Sequence, residues 1–95
     1  MLVKLYRSDN QKKKFYILIG ARRVYFGDSA YEDYTTHKDP NRKALYIYRH
    51  EKRERWNNPL TAGFWSRWLL WNLPTISQSI DDIKKRFNID VVIGS

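Results

Sequence analysis

The sequence has no cysteine, and only four glycines, three prolines and one methionine among its 95 residues. The lack of cysteine excludes disulfides, thiolate metal ligands and a cysteine nucleophile. No apolar run reaches the roughly 18 residues of a membrane-spanning helix. The N-terminal residues also lack the apolar region and small-residue cleavage site of a signal peptide. These absences fit synthesis inside a cell, and they leave a membrane surface, rather than its interior, as a possible partner.

Motifs for catalysis or cofactor binding are also absent. The glycines are scattered and form no phosphate-binding loop, and Ser66 lacks the flanking glycines of a nucleophile elbow. His37 and His50 belong to no recognised metal or nuclease signature. Enzyme is therefore the weakest class, and we expect no cofactor, metal site or catalytic residue.

A possible divalent-metal cluster is the one exception to this expectation. Four acidic residues would form a divalent-metal cluster only if the fold brought them together: Asp28, Glu32, Asp33 and Asp39. Asp is a common helix cap, so capping explains about half of them. A metal-dependent nuclease remains the third alternative for function.

Positive charge is abundant instead. Eighteen Lys and Arg residues outnumber ten Asp and Glu residues, which gives a formal net charge of +8. Such a balance favours nucleic acid, anionic lipid headgroups or an acidic protein as partner. The charge does not choose among them.

The N-terminal part reads as strands. Leu2–Arg7 alternates partly, and a β-branched and aromatic run follows at residues 15–19 and again at residues 24–26. Short connections between them predict an antiparallel meander. Residues 89–93 predict a short closing strand. With about three helices between, we expect an α+β fold, and we expect residues 1–95 to form a single compact domain.

The first predicted helix is basic. Asp39 caps it, Pro40 is tolerated in its first turn, and Asn57-Asn58-Pro59 ends it. Its predicted apolar stripe consists of Ala44, Leu45, Ile47 and Tyr48.

Two further helices follow. Thr61 caps a tryptophan-rich segment in which apolar groups occupy more than half of the helix circumference, and Leu73-Pro74 ends it. Thr75 and Gln78 form the capping box of the last helix. That helix carries a clean apolar stripe of Ile76, Ile80, Ile83 and Phe87.

The basic helix, residues 40–56, is the better functional candidate. Its cations would neutralise phosphates or contact an acidic partner: Arg42, Lys43, Arg49, Lys52, Arg53 and Arg55. The alternative is a solvated helix face that keeps a small protein soluble, and the sequence does not favour either interpretation over the other.

The aromatic segment admits two interpretations. Its large side chains either fill the core or anchor a partner: Trp56, Phe64, Trp65, Trp68 and Trp71. We expect core positions for two of the three tryptophans at 65, 68 and 71, and an exposed or partner-facing position for at least one.

Several strings together carry a family resemblance. They are residues 34–39 (YTTHKD), 46–50 (YIYRH), 53–56 (RERW), 61–72 (TAGFWSRWLLWN) and 74–76 (PTI), preceded by the strands ending at 25–27 (YFG). In this order the chain resembles a family of small basic proteins encoded by large double-stranded DNA viruses of algae and amoebae, phycodnavirus-like and mimivirus-like. The resemblance carries no activity or catalytic residue. It implies a viral setting and, by analogy, a virion component.

Two main functions therefore remain open. The first is a non-enzymatic structural protein, such as a minor capsid component of the virion, made in the host cytoplasm or nucleus and in contact with other capsid proteins. The second is a viral nucleic-acid-binding protein that uses the basic helix. The virion role is the first expectation, because the composition favours contacts over chemistry.

Overall fold

A computed structural model describes residues 1–94 and shows an α+β fold. Four strands, β1 (Leu2–Arg7), β2 (Lys13–Ile19), β3 (Arg22–Asp28) and β4 (Asp90–Ile93), form one sheet in the order β3-β2-β1-β4. The helical elements are α1 (Tyr34–His37), α2 (Pro40–His50), α3 (Ala62–Trp65) and α4 (Ile76–Phe87), with a π-helical turn at Ser66–Leu70 directly after α3. The predicted fold class is confirmed, including the N-terminal antiparallel meander and the C-terminal strand.

Alternation and turn chemistry explain the meander. Val3 and Leu5 of β1 are buried while their neighbours are not, as expected for a strand with one face on the core. Gly20 begins the two-residue turn between β2 and β3 with a φ of 59°. A positive φ at the first turn position suits a hairpin of the II′ type, which favours glycine there.

The last strand lies parallel to the first. Leu2 pairs with Asp90 and Leu5 with Ile93. Asn88 makes this return possible because it ends α4 in the left-handed conformation, with a φ of 55°. Asn tolerates that conformation better than most residues.

The predicted caps of the three longer helical segments are confirmed. The Asp39 carboxylate accepts from the amides of Asn41 and Arg42, and the Thr61 hydroxyl accepts from the Phe64 amide. The Thr75 hydroxyl accepts from the Gln78 amide at 3.1 Å. These bonds satisfy donors that the first turn of a helix leaves free.

The predicted end of the basic helix is wrong. Regular α-helix stops at His50, and the chain then turns, with the Arg53 and Glu54 amides both donating to the His50 carbonyl. The Glu54 carboxylate accepts from the Trp56 indole at 2.8 Å and lies against Gly63, where a Cβ would come within 2.8 Å of Oε2. These contacts hold residues 51–56 outside the helix.

The predicted apolar stripe of α2 is wrong except at Ile47, since Ala44, Leu45 and Tyr48 are exposed. Leu45 is 49% exposed and Tyr48 is 72% exposed. The inward face consists instead of Lys43, Tyr46, Ile47 and His50, which are all partly buried. Tyrosine, histidine and lysine can each bury an apolar body while a polar end finds a partner.

The core lies between one face of the sheet and the helices α3 and α4. Phe64, Trp65 and Leu69 are fully buried and contact strand residues that include Ile17 and Phe26. The Trp65 ring packs 6.4 Å from that of Phe26, and its indole donates to the Pro59 carbonyl at 2.8 Å. The first half of the tryptophan-rich segment is therefore core.

The other face of the sheet carries a row of tyrosines. Tyr6, Tyr16 and Tyr25 are cross-strand partners, and each adjacent pair of ring centroids is 5.2 Å apart. Asp9 accepts a hydrogen bond from the Tyr25 hydroxyl at 2.8 Å, and this bond is the main cause that lowers the pKa of Asp9. Cross-strand aromatic pairs of this kind stabilise a sheet.

Candidate functional site

Five of the six predicted contact cations lie at the surface. Arg42 and Arg49 project from α2, while Lys52, Arg53 and Arg55 follow in the turn beyond it. All five are exposed, and within residues 1–94 none of them takes part in a salt bridge. We call these five residues the basic surface. Its charges are available to an external anion.

The sixth, Lys43, faces inward and is occupied. Its Nζ donates to the Asn72 carbonyl at 2.5 Å and lies 5.0 Å from the centre of the Tyr34 ring. Burial is the main cause that lowers its pKa, followed by repulsion from Arg67 and Arg86. Lys43 therefore attaches α2 to the rest of the fold and stands apart from the basic surface.

Arg67 has a similar role that the sequence pattern did not reveal. Its guanidinium donates to the Trp71 carbonyl at 3.0 Å and lies over the Trp68 ring at 4.4 Å and the Trp56 ring at 5.4 Å. Burial, followed by repulsion from Arg86, lowers its pKa. Lys43 and Arg67 thus bring positive charge to the C-terminal end of the π-helical turn, where carbonyl groups lack helical partners. The available signal was a single charge inside an apolar segment, which has to find partners when buried.

An aromatic stack supports the basic surface from beneath. The Tyr46 ring lies parallel to that of Trp71, with 4.5 Å between centroids, and stacks on His50 at 4.3 Å. Burial, with a smaller contribution from Glu54, raises the pKa of the Tyr46 phenol. His50 Nδ1 lies 3.2 Å from Glu54 Oε1, so this carboxylate is engaged by the histidine and by Trp56. The stack fixes the position of α2. Because Glu54 is engaged, it contributes little free negative charge near the cations that follow α2.

A cleft of about 630 Å³ separates α2 from the loop that follows β3. Its floor includes Phe26 and Leu70, and Gly27 packs closely against that floor, because a Cβ there would lie 2.8 Å from Leu70 Cδ1. Arg42 and Arg49 line one wall, and the lining also contains Lys13, Lys14, Asp28, Glu32 and Asp33. Since both signs of charge line it, the cleft selects neither an anionic nor a cationic ligand.

Two of the four acidic residues considered for a metal site cap helices. Asp33 caps α1 and its Oδ2 accepts from Lys14 Nζ at 2.7 Å, while Asp39 caps α2. In the part of the chain that the structure describes, no group of three or more His, Asp or Glu side chains is placed to hold a metal ion. His37 instead accepts from the Asp39 amide through Nδ1.

The predicted aromatic residues divide into two groups. Phe64 and Trp65 are fully buried, whereas Trp56, Trp68 and Trp71 are half-buried. Trp68 donates to the Trp56 carbonyl at 2.6 Å, which joins the segment after α2 to the π-helical turn. Half-buried tryptophans present part of their rings to solvent next to the basic surface.

Fold and surface together define a small basic α+β protein in which the five exposed cations of the basic surface have no salt-bridge partner within residues 1–94, and in which Trp56, Trp68 and Trp71 are partly exposed. Among the helices of residues 1–94, none is both long and apolar enough to cross a membrane. Residues 3–50, just over half of the chain, match the family described as "Family of unknown function (DUF5754)", and the chain belongs to that family. No curated protein and no solved structure matches the chain.

Proposed function

We propose that the protein is a non-enzymatic nucleic-acid-binding protein that contacts phosphates through the basic surface. The observation that carries this proposal is the exposure of Arg42, Arg49, Lys52, Arg53 and Arg55 without a salt-bridge partner within residues 1–94. Each cation that neutralises a phosphate releases a condensed counterion, which favours binding at low salt.

The surroundings of the basic surface support a polyanion. The stretch from residue 42 to residue 55 contains only two carboxylates, Glu51 and Glu54. Glu54 is engaged by His50 and Trp56, so Glu51 is the one exposed carboxylate of this stretch. Arg42 and Arg49 also line the cleft that contains Asp28, Glu32 and Asp33. Within the stretch itself, however, exposed cations outnumber exposed carboxylates five to one, and this excess favours a phosphate backbone.

The test is binding to random-sequence duplex DNA across a salt series. If all five cations contact phosphates, the slope of log K against log salt should be about −4.5. Affinity should then fall about 500-fold between 50 and 200 mM salt. Fluorescence anisotropy with a labelled duplex measures both quantities. A flat salt response would contradict nucleic-acid binding.

A second candidate function is the virion structural role. The exposed apolar side chains of Leu45 and Tyr48 on α2 support it, because Tyr and Arg are enriched in protein interfaces and Arg49 adjoins them. The resemblance to proteins of large DNA viruses adds a viral setting, with other capsid proteins as partners. Here the interface would lie on α2, since Phe64 and Trp65 belong to the core.

Purified virus particles test this second function. A mass-spectrometric inventory should contain the protein, and cross-links should join α2 to a capsid protein. Absence of the protein from the particle would rule out the virion role and leave nucleic-acid binding unaffected.

A further inference from the structure

A shallow pocket of aromatic side chains adjoins the basic surface. Trp56, Trp68 and Phe87 form its walls, with Arg55 and Asn57 at its margin. All three aromatic residues are half-buried, while Arg55 and Asn57 are exposed. The pocket is open to solvent and is separate from the cleft beside α2, since the two share no lining residue.

The rings that line the pocket are held in place. The Trp68 indole donates to the Trp56 carbonyl at 2.6 Å, and the Phe87 ring meets that of Trp68 at 65° with 5.4 Å between centroids. Guanidinium groups of Arg67 and Arg86 lie over Trp68 at 4.4 and 4.7 Å. An arrangement fixed in this way loses little conformational freedom when a ligand enters.

The charge around the pocket is positive. Arg55 is the one charged residue of its lining. Two carboxylates bound to neighbours of the pocket are engaged: Glu54 accepts from Trp56 at 2.8 Å, and Asp82 accepts from Arg86, which lies over Trp68, at 2.6 Å. A ligand that carries negative charge next to a planar group therefore finds complementary contacts.

From this geometry we infer that the pocket takes an unpaired base of single-stranded nucleic acid, while Arg55 and the basic surface hold the adjoining phosphates. Stacking of bases on aromatic side chains beside a cationic groove is the usual basis of single-strand binding. The Asn57 amide offers both a donor and an acceptor to the edge of a base. Bases of an intact duplex are stacked on each other and do not enter. This inference rests on the proposed nucleic-acid function and specifies which form of nucleic acid is preferred.

Paired anisotropy titrations test the inference, with a labelled oligo(dT) of about 12 nucleotides and a duplex of equal length. The wild-type protein should bind the single strand more tightly. Trp56→Ala should weaken oligo(dT) binding about tenfold, which is within the range for loss of one stacked base. Duplex binding should weaken less, through release of the Glu54 carboxylate that Trp56 engages. Asn57→Ala changes an exposed side chain and leaves the aromatic core intact. It should weaken binding to oligo(dT) and leave binding to the duplex unchanged. Tyr31→Ala, which removes a ring that is 71% exposed and lies outside the pocket, is the matched control and should leave the preference for the single strand unchanged.

Circular dichroism and thermal melting establish that each variant folds. If Trp56→Ala does not fold, Asn57→Ala alone tests whether the pocket binds a base. Equal affinity for the two nucleic acids, with both pocket variants neutral, would overturn the pocket and leave the proposed function standing. Absence of binding to either nucleic acid would overturn both. An acidic peptide with one tyrosine forms the third arm. If Trp56→Ala weakens binding of this peptide but not of oligo(dT), the occupant is a protein segment and the inference is wrong.

Discussion

Replacing Trp65 with alanine is expected to remove about 3–5 kcal/mol from the free energy of unfolding. The side chain is fully buried, so the substitution leaves a cavity lined by Phe26 and Phe64. It also leaves the Pro59 carbonyl without the indole donor that lies 2.8 Å away. Because small domains have about 5–15 kcal/mol of stability in total, the variant should be close to unfolding at room temperature.

Urea unfolding followed by circular dichroism measures this loss, and two other positions calibrate it. Tyr48→Ala removes a ring that is 72% exposed and should change stability by less than about 0.5 kcal/mol. Trp68→Ala removes a half-buried ring and should cost about 1–2 kcal/mol. If Trp68→Ala proved more costly than Trp65→Ala, the assignment of Trp65 to the centre of the core would be wrong.

The tryptophan-rich segment shows where sequence patterns stop being informative. Its apolar groups cover more than half of a helix, so periodicity alone does not say which side faces the sheet. The structure resolves this in a way that no regular period predicts. The chain changes from α-helix at Trp65 to a π-helical turn at Ser66, and this shifts the directions of the residues that follow.

Strands and caps were predictable because they depend on neighbouring residues. Asp39, Thr61 and Thr75 each accept from an amide two or three residues further on, so a short window of sequence contains the whole interaction. The pairing of β4 with β1 is different, because Leu2 and Asp90 lie at opposite ends of the chain. A pattern in either segment predicts a strand but neither its partner nor its direction.

The inward face of α2 was mispredicted for a chemical reason. Hydrophobicity favoured Leu45 and Tyr48, yet the face that packs consists of residues with polar ends, such as Lys43, Tyr46 and His50. Tyr46 is stabilised there by the parallel Trp71 ring, and Lys43 by the Asn72 carbonyl. These partners come from the segment after α3, so a helix considered alone does not indicate them.

The same contacts explain how far the candidate site was predictable. The basic surface was predictable in outline, because basic residues exceed acidic ones in the sequence. Lys43 looked like one more member, and only its hydrogen bond to Asn72 separates it from the others. Arg67, which no pattern selected as a contact residue, connects three aromatic or carbonyl partners and positions Trp56 and Trp68.

Reversing the charge of Arg49, Lys52 and Arg53 to glutamate is expected to remove most of the salt-sensitive nucleic-acid binding. Three of the five proposed phosphate contacts disappear. The slope of log K against log salt should therefore become shallower, from about −4.5 to about −2. New carboxylates at these positions also repel the phosphates that remain in contact. At 0.1 M salt, affinity for duplex DNA should drop by about 100-fold or more. The fold should be retained, since all three side chains are exposed and unpaired within residues 1–94.

A second triple variant separates the location of the charge from its total. Each change from Lys or Arg to Glu lowers the net charge by two. The net charge therefore falls from +8 to +2 in the variant of Arg49, Lys52 and Arg53. Reversal of Arg7, Lys12 and Arg22, which are exposed on the strands and their turn, gives the same net charge. Anisotropy titrations of both variants against one labelled duplex make the comparison. If the basic surface is the binding site, the strand variant keeps most of the salt slope. Equal losses in the two variants would instead show that total charge governs binding, and the basic surface would have no special role.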